Sequence, residues 1–443
     1  MKTIKYILSI VLILSIAKVN AQDILTGTEK ISLSKAVEIA MLNNYELKIA
    51  SNELKKADNN NTVGNAGLLP SLTLNGGVDY GHNDTEMEFT GQNSEIIKID
   101  NAESLTYNSN VRMDYTLFDG FGNVYTYKKL QGANERQETL FRQQTELTIV
   151  QVAERYYEVC RAQQNLHLAK ESMRISRERL QKAMDKKAYG QANQLDVLNA
   201  EVDMNSDSTI VLQTEQAFLN SVKDLNVVLG VPVQNVYQVV DAIKFRDDFT
   251  ADKVISGALL NNAGMIAQKQ QEGISNLDLK ITKAQKYPTI SAYGQYGYNR
   301  QDNDAGQIAY NQSMGSSAGV SLKFNIFNGQ QQRTKEKNAT LDFRSQQERS
   351  FQLQSELERD AANAYTDYVY KRRIVELQET SVEQAQLNFE QTQEMYQLGR
   401  VTAIEFRTAQ QNLLDVAANF NNARFTAKVA EFYLLQLTGE LIN

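Results

Sequence analysis

The sequence of 443 residues has one cysteine, two histidines, three prolines and no tryptophan. With only Cys160, the chain cannot form an internal disulfide. We expect His82 on a loop and His167 on a helix. Two histidines and one cysteine are too few to form a metal-binding cluster or the nucleophile and base of an active site. No phosphate-binding or dinucleotide-binding motif follows a predicted strand. We therefore expect no enzyme, no cofactor and no metal site.

Long apolar segments are also scarce. The one near the N-terminus, from about Tyr6 to Ala17, follows two lysines and precedes small residues up to Ala21. It is too short to cross a bilayer, so the pattern predicts a cleaved secretory signal peptide over residues 1–21. A retained membrane anchor is the alternative interpretation.

The charge balance is acidic. Removal of residues 1–21 takes away three of the 46 basic side chains and no acid, which leaves 43 basic against 53 acidic side chains. Because there is also no basic cluster, we expect no nucleic-acid partner.

What the chain does contain is one long motif that occurs twice. The recurring segments are Leu42-Asn43-Asn44 and Leu260-Asn261-Asn262, Phe118-Asp119-Gly120 and Phe327-Asn328-Gly329, and residues 190–196 and 399–405. The first pair is 218 residues apart and the other two are 209 apart. The sequence therefore predicts two structural repeats, over residues 22–240 and 241–443.

Each repeat is predicted to have a helix followed by a pair of strands, because apolar and polar residues alternate there with a period of two. The predicted strands are residues 71–80, 109–118, 289–298 and 317–327. About ten residues is the length that a tilted strand needs to cross a bilayer, although a sheet on a soluble core would show the same alternation. Four strands cannot close a membrane barrel, so the chain must oligomerise. The polar segments 81–109 and 299–317 are then outward-facing loops.

The rest of each repeat is predicted to form a long helical hairpin, over residues 120–230 and 330–438. Apolar and small residues at steps of three and four form a coiled-coil seam from Leu413 to Leu437. Gly190 and Gly399 are expected to end the first helix of each hairpin at its tip, and capping boxes begin the second helix.

With this order of elements, the tip motif Tyr396-x-x-Gly399-x-x-Thr402-x-x-Glu405 resembles the TolC-like outer-membrane efflux proteins. The resemblance covers almost the whole mature chain. It implies a mainly α fold with a small β part, in which a long α-helical coiled-coil barrel continues into a transmembrane β-barrel. A trimer would complete this barrel with four strands from each chain.

The same resemblance implies an outer-membrane channel that extends into the periplasm. The homotrimer would be a passive duct in a tripartite efflux or secretion system, in contact with a periplasmic adaptor protein, an inner-membrane pump and outer-membrane lipid. A secreted coiled-coil structural protein or adhesin is the alternative, but it gives the four amphipathic strands no role.

The resemblance also indicates site residues. Asp196 and Glu405 would line the periplasmic mouth, although both acids also fit simple helix caps. Tyr396 and Arg400 are candidates for the link that closes the mouth, with Arg400 one position away from the family's arginine. Gly190 and Gly399 match the tips that contact an adaptor protein.

Overall fold

The computed structural model describes residues 30–88, 96–305 and 308–442, so the predicted signal peptide lies outside the described residues. Eight helices and six strands occur there. In chain order they are β1 (Lys30–Ile31), α1 (Leu33–Asn43), α2 (Tyr45–Asn60), β2 (Ser71–Glu88), β3 (Ile96–Phe118), α3 (Gly122–Ala188), α4 (Gln194–Leu229), β4 (Gln238–Val239), α5 (Ala251–Asn261), α6 (Ala263–Ala284), β5 (Thr289–Asn303), β6 (Tyr310–Lys323), α7 (Gln331–Gln397) and α8 (Ala403–Leu437). The predicted mainly α fold with a small β part is confirmed.

The chain divides into two compact units, each built from separate stretches of sequence. Of the described residues, unit 1 comprises 30–50, 142–262 and 356–442, and unit 2 comprises 51–88, 96–141, 263–305 and 308–355. Both units draw residues from both repeats.

Unit 2 contains a four-stranded antiparallel sheet in the order β2-β3-β5-β6. The register places Tyr115 beside Ala292, and Ala292 beside Val320, so the apolar residues of neighbouring strands share one face. The opposite face is polar, and there the Arg112 guanidinium lies 4.7 Å from the centre of the Tyr293 ring. The predicted alternation is therefore present in the sheet.

The strands extend further than the alternation predicted. Most of the expected loops 81–109 and 299–317 is strand among the described residues, and β2 includes His82, which was expected on a loop. In these outer parts of the strands, polar residues occupy both faces, so the alternation of apolar and polar residues ends. The strands continue because the hydrogen bonds between them join backbone groups and need no apolar side chain. In contrast, β6 ends at Lys323, so residues 324–327 lie outside the strand predicted to include them.

A β-bulge near the end of β3 changes which side chains share a face. Thr116 pairs with Ser291, but the next paired residue is Phe118, opposite Ile290. The extra residue, Leu117, puts Phe118 on the same face as the apolar residues of the sheet. Gly120 follows with φ +72.

Unit 1 contains the greater part of the predicted helical hairpins, residues 142–230 and 356–438, including both tips. α3 turns into α4 and α7 turns into α8, at residues 189–193 and 398–402. The seam is largely buried: Leu225 of α4 and Ala427 and Leu434 of α8 have no exposed surface. These contacts stabilise long helices whose own sequences are only weakly amphipathic.

The repeated Leu-Asn-Asn segments have the same structural role in both repeats. The Asn44 side-chain amide donates to the Val228 carbonyl oxygen at 2.7 Å, and the Asn262 amide donates to that of Leu437 at 3.2 Å. Each asparagine thus satisfies a free carbonyl at the end of a long helix. Gly230 and Gly439 follow these helix ends with φ +69 and +68, where a Cβ atom would collide with a neighbouring carbonyl group.

Candidate functional site

The two hairpin tips turn through the same motif. Gly190 and Gly399 follow the first helix of each hairpin with φ +73 and +70, a left-handed conformation that glycine adopts without strain. The next N–H, of Gln191 or Arg400, donates back to a helix carbonyl oxygen at 2.8 Å or 2.9 Å. Apart from the glycine and its two neighbours in the sequence, no heavy atom of the described chain lies within 4 Å of a Cβ atom built on either glycine. Both tips are therefore open to a partner.

The predicted capping boxes are present at the start of α4 and α8. The Asn193 side chain accepts from the Asp196 N–H at 2.9 Å, and the Asp196 carboxylate accepts from the Asn193 N–H at 3.1 Å. At the second tip, the Glu405 carboxylate accepts from the Thr402 N–H at 2.7 Å and the Thr402 hydroxyl accepts from the Glu405 N–H at 3.2 Å. Both acids are exposed, so capping does not remove them from solvent.

The charge of Glu405 is stabilised locally. Hydrogen bonds from the N–H and the hydroxyl of Thr402 hold the pKa of the Glu405 carboxyl below its ordinary value. The N-terminal end of a helix also favours a negative charge. Glu405 is therefore ionised at neutral pH and can act as a cap and as a surface charge together.

Tyr396 and Arg400 differ in how firmly they are held. The Tyr396 ring stacks on Phe406 with ring centres 4.8 Å apart, and the Lys186 ammonium lies 6.0 Å from its centre. No described carboxylate forms an ion pair with the Arg400 side chain, which is exposed. The closing link suggested for these two residues is not formed within this chain's described residues.

A cavity of about 850 Å³ in unit 1 brings two of the sequence-predicted residues together. Asp196 and Tyr396 both line it, but no hydrogen bond joins them within the described chain. Glu405, Arg400 and the tip glycines are not part of this lining.

A buried ion pair joins the two hairpins, and sequence reasoning missed it. Arg407 of α8 donates to the two carboxylate oxygens of Asp207 of α4 at 2.6 Å and 2.8 Å. The Asp207 side chain is 1% exposed and that of Arg407 is 11% exposed. Ser172 and Ser176 of α3 also donate to Asp207, and Gln410 donates to the Ser172 hydroxyl at 2.9 Å. We call these five residues the hairpin-coupling cluster.

Spacing in the seam was the signal that could have revealed this cluster. Asp207 lies three residues after Met204 and four before Val211, and both of these apolar residues of α4 pack in buried hydrophobic clusters. Gln410 likewise lies three residues before Leu413. Polar residues at such positions need buried partners, because an unpaired buried polar group is costly.

The remaining reactive side chains do not form a site in the described parts of the chain. Burial raises the pKa of the Cys160 thiol, which makes it a poor nucleophile. Within residues 30–88, 96–305 and 308–442, no group of three or more His, Cys, Asp or Glu side chains is placed to hold a metal ion. In these same residues, no helix combines the length and the hydropathy needed to cross a membrane.

Residues 36–231 and 254–440 match the sequence profile of the family described as Outer membrane efflux protein. The chain belongs to this family. Members of the outer membrane efflux protein family are channels rather than enzymes, and the family's location is the outer membrane.

Individual relatives of the outer membrane efflux protein family are distant in sequence. The chain is 23% identical over 314 residues to the proteases secretion protein PrtF of Dickeya chrysanthemi, covering 68% of this chain and 65% of PrtF. It is 22% identical over 308 residues to the outer membrane protein TolC of Vibrio cholerae, covering 66% of this chain and 68% of TolC.

The fold is shared over a greater length. The Campylobacter jejuni CmeC outer membrane channel has a TM-score of 0.73 and 16% identity, with coverage of 92% of this chain and 86% of CmeC. At this identity the likeness concerns the fold alone.

Proposed function

We propose that three copies of this chain form a passive outer-membrane duct in a tripartite efflux or secretion system. A periplasmic adaptor protein contacts the hairpin tips, and an inner-membrane pump supplies the energy. The duct itself carries out no chemical reaction.

One observation carries the trimer proposal. The sheet has only four strands, and the outer edges of β2 and β6 have no strand partner within the described chain. The apolar face is also open: Leu74 is 76% exposed and Val320 is 69% exposed. Lipid satisfies an apolar face but not an unpaired strand edge, so β6 of one copy is expected to pair with β2 of the next. Three copies give twelve strands.

The open tips support the adaptor contact. Gly190 and Gly399 both have free space where a side chain would lie, and the surrounding turns are exposed. Asp196 and Glu405 lie beside these turns, and three chains would contribute six carboxylates to the periplasmic mouth. Such a ring would attract cations and repel anions.

The trimer is tested by measuring the mass of the detergent-solubilised protein, for example by native mass spectrometry. We expect three times the mass of one mature chain. A folded monomer extracted from the membrane fraction would contradict the pairing of β6 with β2.

Topology is tested with an epitope tag inserted after Ala305, in the connection between β5 and β6. Asp302 would be a worse position because it pairs with Tyr310 in the sheet. The tag should be accessible on intact cells. A tag beside Ala192 at a helical tip is the control and should react only after the outer membrane is opened. The reverse result would invert the topology.

A further inference from the structure

A pocket of about 300 Å³ lies in unit 2, where β3 leads into α3 and α6 leads into β5. Its aromatic side chains are Phe118, Phe121, Tyr125 and Tyr287, and its basic side chains are Lys280 and Lys283 of α6. We call these six residues the strand-end pocket. Aromatic and basic side chains together suit the boundary between lipid hydrocarbon and headgroups.

The fold holds the pocket in place. The rings of Phe118 and Phe121 meet edge to face, with centres 5.7 Å apart. Gly120 permits the close approach of α6, since a Cβ atom there would lie 2.6 Å from the Ala284 carbonyl oxygen and 2.9 Å from Tyr287. The site is therefore a consequence of backbone packing rather than of flexible surface side chains.

The lysines of the pocket have no acidic partner among the described residues. Elsewhere in unit 2, Lys129 pairs with Asp278 and Lys286 pairs with Glu336. Lys280 and Lys283 are exposed, and no described carboxylate forms an ion pair with either one. The Lys280 ammonium lies 6.0 Å from the centre of the Tyr125 ring. Two unpaired positive charges beside exposed aromatic rings are complementary to an amphipathic anion, which has a negatively charged group and an apolar part.

The apolar face of the sheet leads into the pocket. The bulge at Leu117 places Phe118 on that face, opposite Ile290, so the last residue of the face is also part of the pocket lining. Next to Phe118 in the pocket, the side chains of Phe121 and Tyr287 are each 60% exposed. A lipid whose chains lie along the apolar face would bring its headgroup to Lys280 and Lys283.

Comparison of the two repeats shows that the fold does not require five of these six side chains. In the segment where the repeats are 209 residues apart, Phe121 corresponds to Gln330 and Tyr125 corresponds to Thr334. In the segment where they are 218 residues apart, Lys280, Lys283 and Tyr287 correspond to Thr62, Asn65 and Leu69, respectively. Phe121 and Gln330 both have φ +67, so the left-handed turn forms with either residue. Phe118 alone has an aromatic counterpart, Phe327, whereas the other three rings and both lysines have no counterpart of the same chemistry in the other repeat. These five side chains therefore indicate a role other than architecture.

We propose that the strand-end pocket binds the phosphate headgroup of an anionic phospholipid in the inner leaflet of the outer membrane. The proposal rests on the proposed function, which places the helices in the periplasm and hence this end of the strands at the inner leaflet. Lys280 and Lys283 contact the phosphate, and Phe118, Phe121 and Tyr287 contact the glycerol and the upper part of the acyl chains.

The test is native mass spectrometry of the purified protein titrated with phosphatidylglycerol or with phosphatidylcholine. We expect the wild type to bind phosphatidylglycerol preferentially. The variant K280Q/K283Q should bind it roughly 25-fold more weakly, because each lysine near an anionic surface contributes a factor of about five in affinity and the two factors multiply. The charge-matched control K55Q/K269Q removes two exposed lysines of unit 2 outside the pocket and should bind as the wild type does.

A second variant keeps the charge and removes one ring. F121Q introduces the residue that the other repeat carries at the same backbone conformation, so it should fold and still lose phosphatidylglycerol binding. Equal lipid binding by wild type and K280Q/K283Q, with both recovered as membrane trimers, would overturn the pocket and leave the duct intact. Displacement of the lipid by inorganic phosphate at equal concentration would show a site for a soluble anion and would also overturn it. A wild type that is not a membrane trimer would overturn the duct and the pocket together.

Discussion

Disruption of the ion pair between Arg407 and Asp207 should loosen the two hairpins from each other. Removal of one partner leaves the other charge buried, which typically costs about 3–5 kcal/mol. Asp203 lies 3.9 Å from Arg407 and offers it a second, weaker partner, so D207N should lie near the lower limit. For a folded unit of this size, about 3 kcal/mol corresponds to a decrease in Tm of roughly 6–12 °C.

The measurement is the thermal loss of the helical circular dichroism signal in detergent. R407M leaves the Asp207 carboxylate buried without its partner and should lower the Tm by at least as much as D207N does. The double variant D207L/R407M removes both charges and should recover most of the loss, because a buried ion pair is worth little more than apolar residues that fill the same space. E171Q is the control: it removes one partner of an exposed pair with Arg174 and should change stability by less than about 1 kcal/mol.

The pH dependence provides an independent check of the same pair. Burial alone would raise the pKa of Asp207, but hydrogen bonds from Arg407 and Ser176 and the charge of Arg407 lower it below its ordinary value. A carboxyl with a lowered pKa stabilises the fold above its unfolded pKa of about 3.9 and loses this contribution as pH falls through its folded pKa. The Tm difference between wild type and D207N should be constant from about pH 8 to 5 and shrink below about pH 4.

Three results would refute the reasoning. A decrease of less than about 2 °C in both single variants would show that solvent reaches the pair and screens it. Additive losses in the double variant would show that the two side chains do not act together. A Tm difference that grows as pH falls would mean that the pKa of Asp207 is raised rather than lowered.

Three further predictions concern the tips and the strand ends. In planar bilayers, D196N/E405Q should lose cation selectivity while remaining trimeric, most clearly at low salt, because the Debye length is about 10 Å at 0.1 M; unchanged selectivity would leave these acids as caps only. G399N should weaken crosslinking to the adaptor protein, whereas G329N, at a glycine with a similar left-handed φ and equally open surroundings, should not. Equal weakening by both variants would contradict docking at the tip. G120A should lower the Tm by more than G329A, because only at Gly120 would a Cβ atom also meet a carbonyl oxygen at 2.6 Å; equal decreases would show that this contact relaxes.

Local patterns in the sequence predicted most of the fold. Tip glycines, capping boxes and the two-residue alternation each depend on residues close in the chain, so they could be identified without knowing any tertiary contact. Strand ends were predicted less well: β2 continues to Glu88 through polar residues, where ladder hydrogen bonds persist after the apolar signal has ended.

The candidate site was predicted only in part, for a similar reason. Asp196 and Glu405 could be found because their caps are local. Asp207 and Arg407 are 200 residues apart, and their pairing depends on how two hairpins pack. A polar residue in a seam indicates that a partner exists, but it does not identify that partner.

The contacts of Asn44 and Asn262 bear on the origin of the chain. Each asparagine satisfies a helix end of its own repeat, at Val228 and at Leu437, so neither repeat borrows this contact from the other. A half-length ancestor with two strands and one helical hairpin would already have possessed it. Six such subunits would supply the same twelve strands as the proposed trimer of the duplicated chain, so gene fusion would have preserved the ring while allowing its alternate positions to diverge. Phe121 and Gln330, which share the same φ angle and differ in side-chain chemistry, are one product of that freedom.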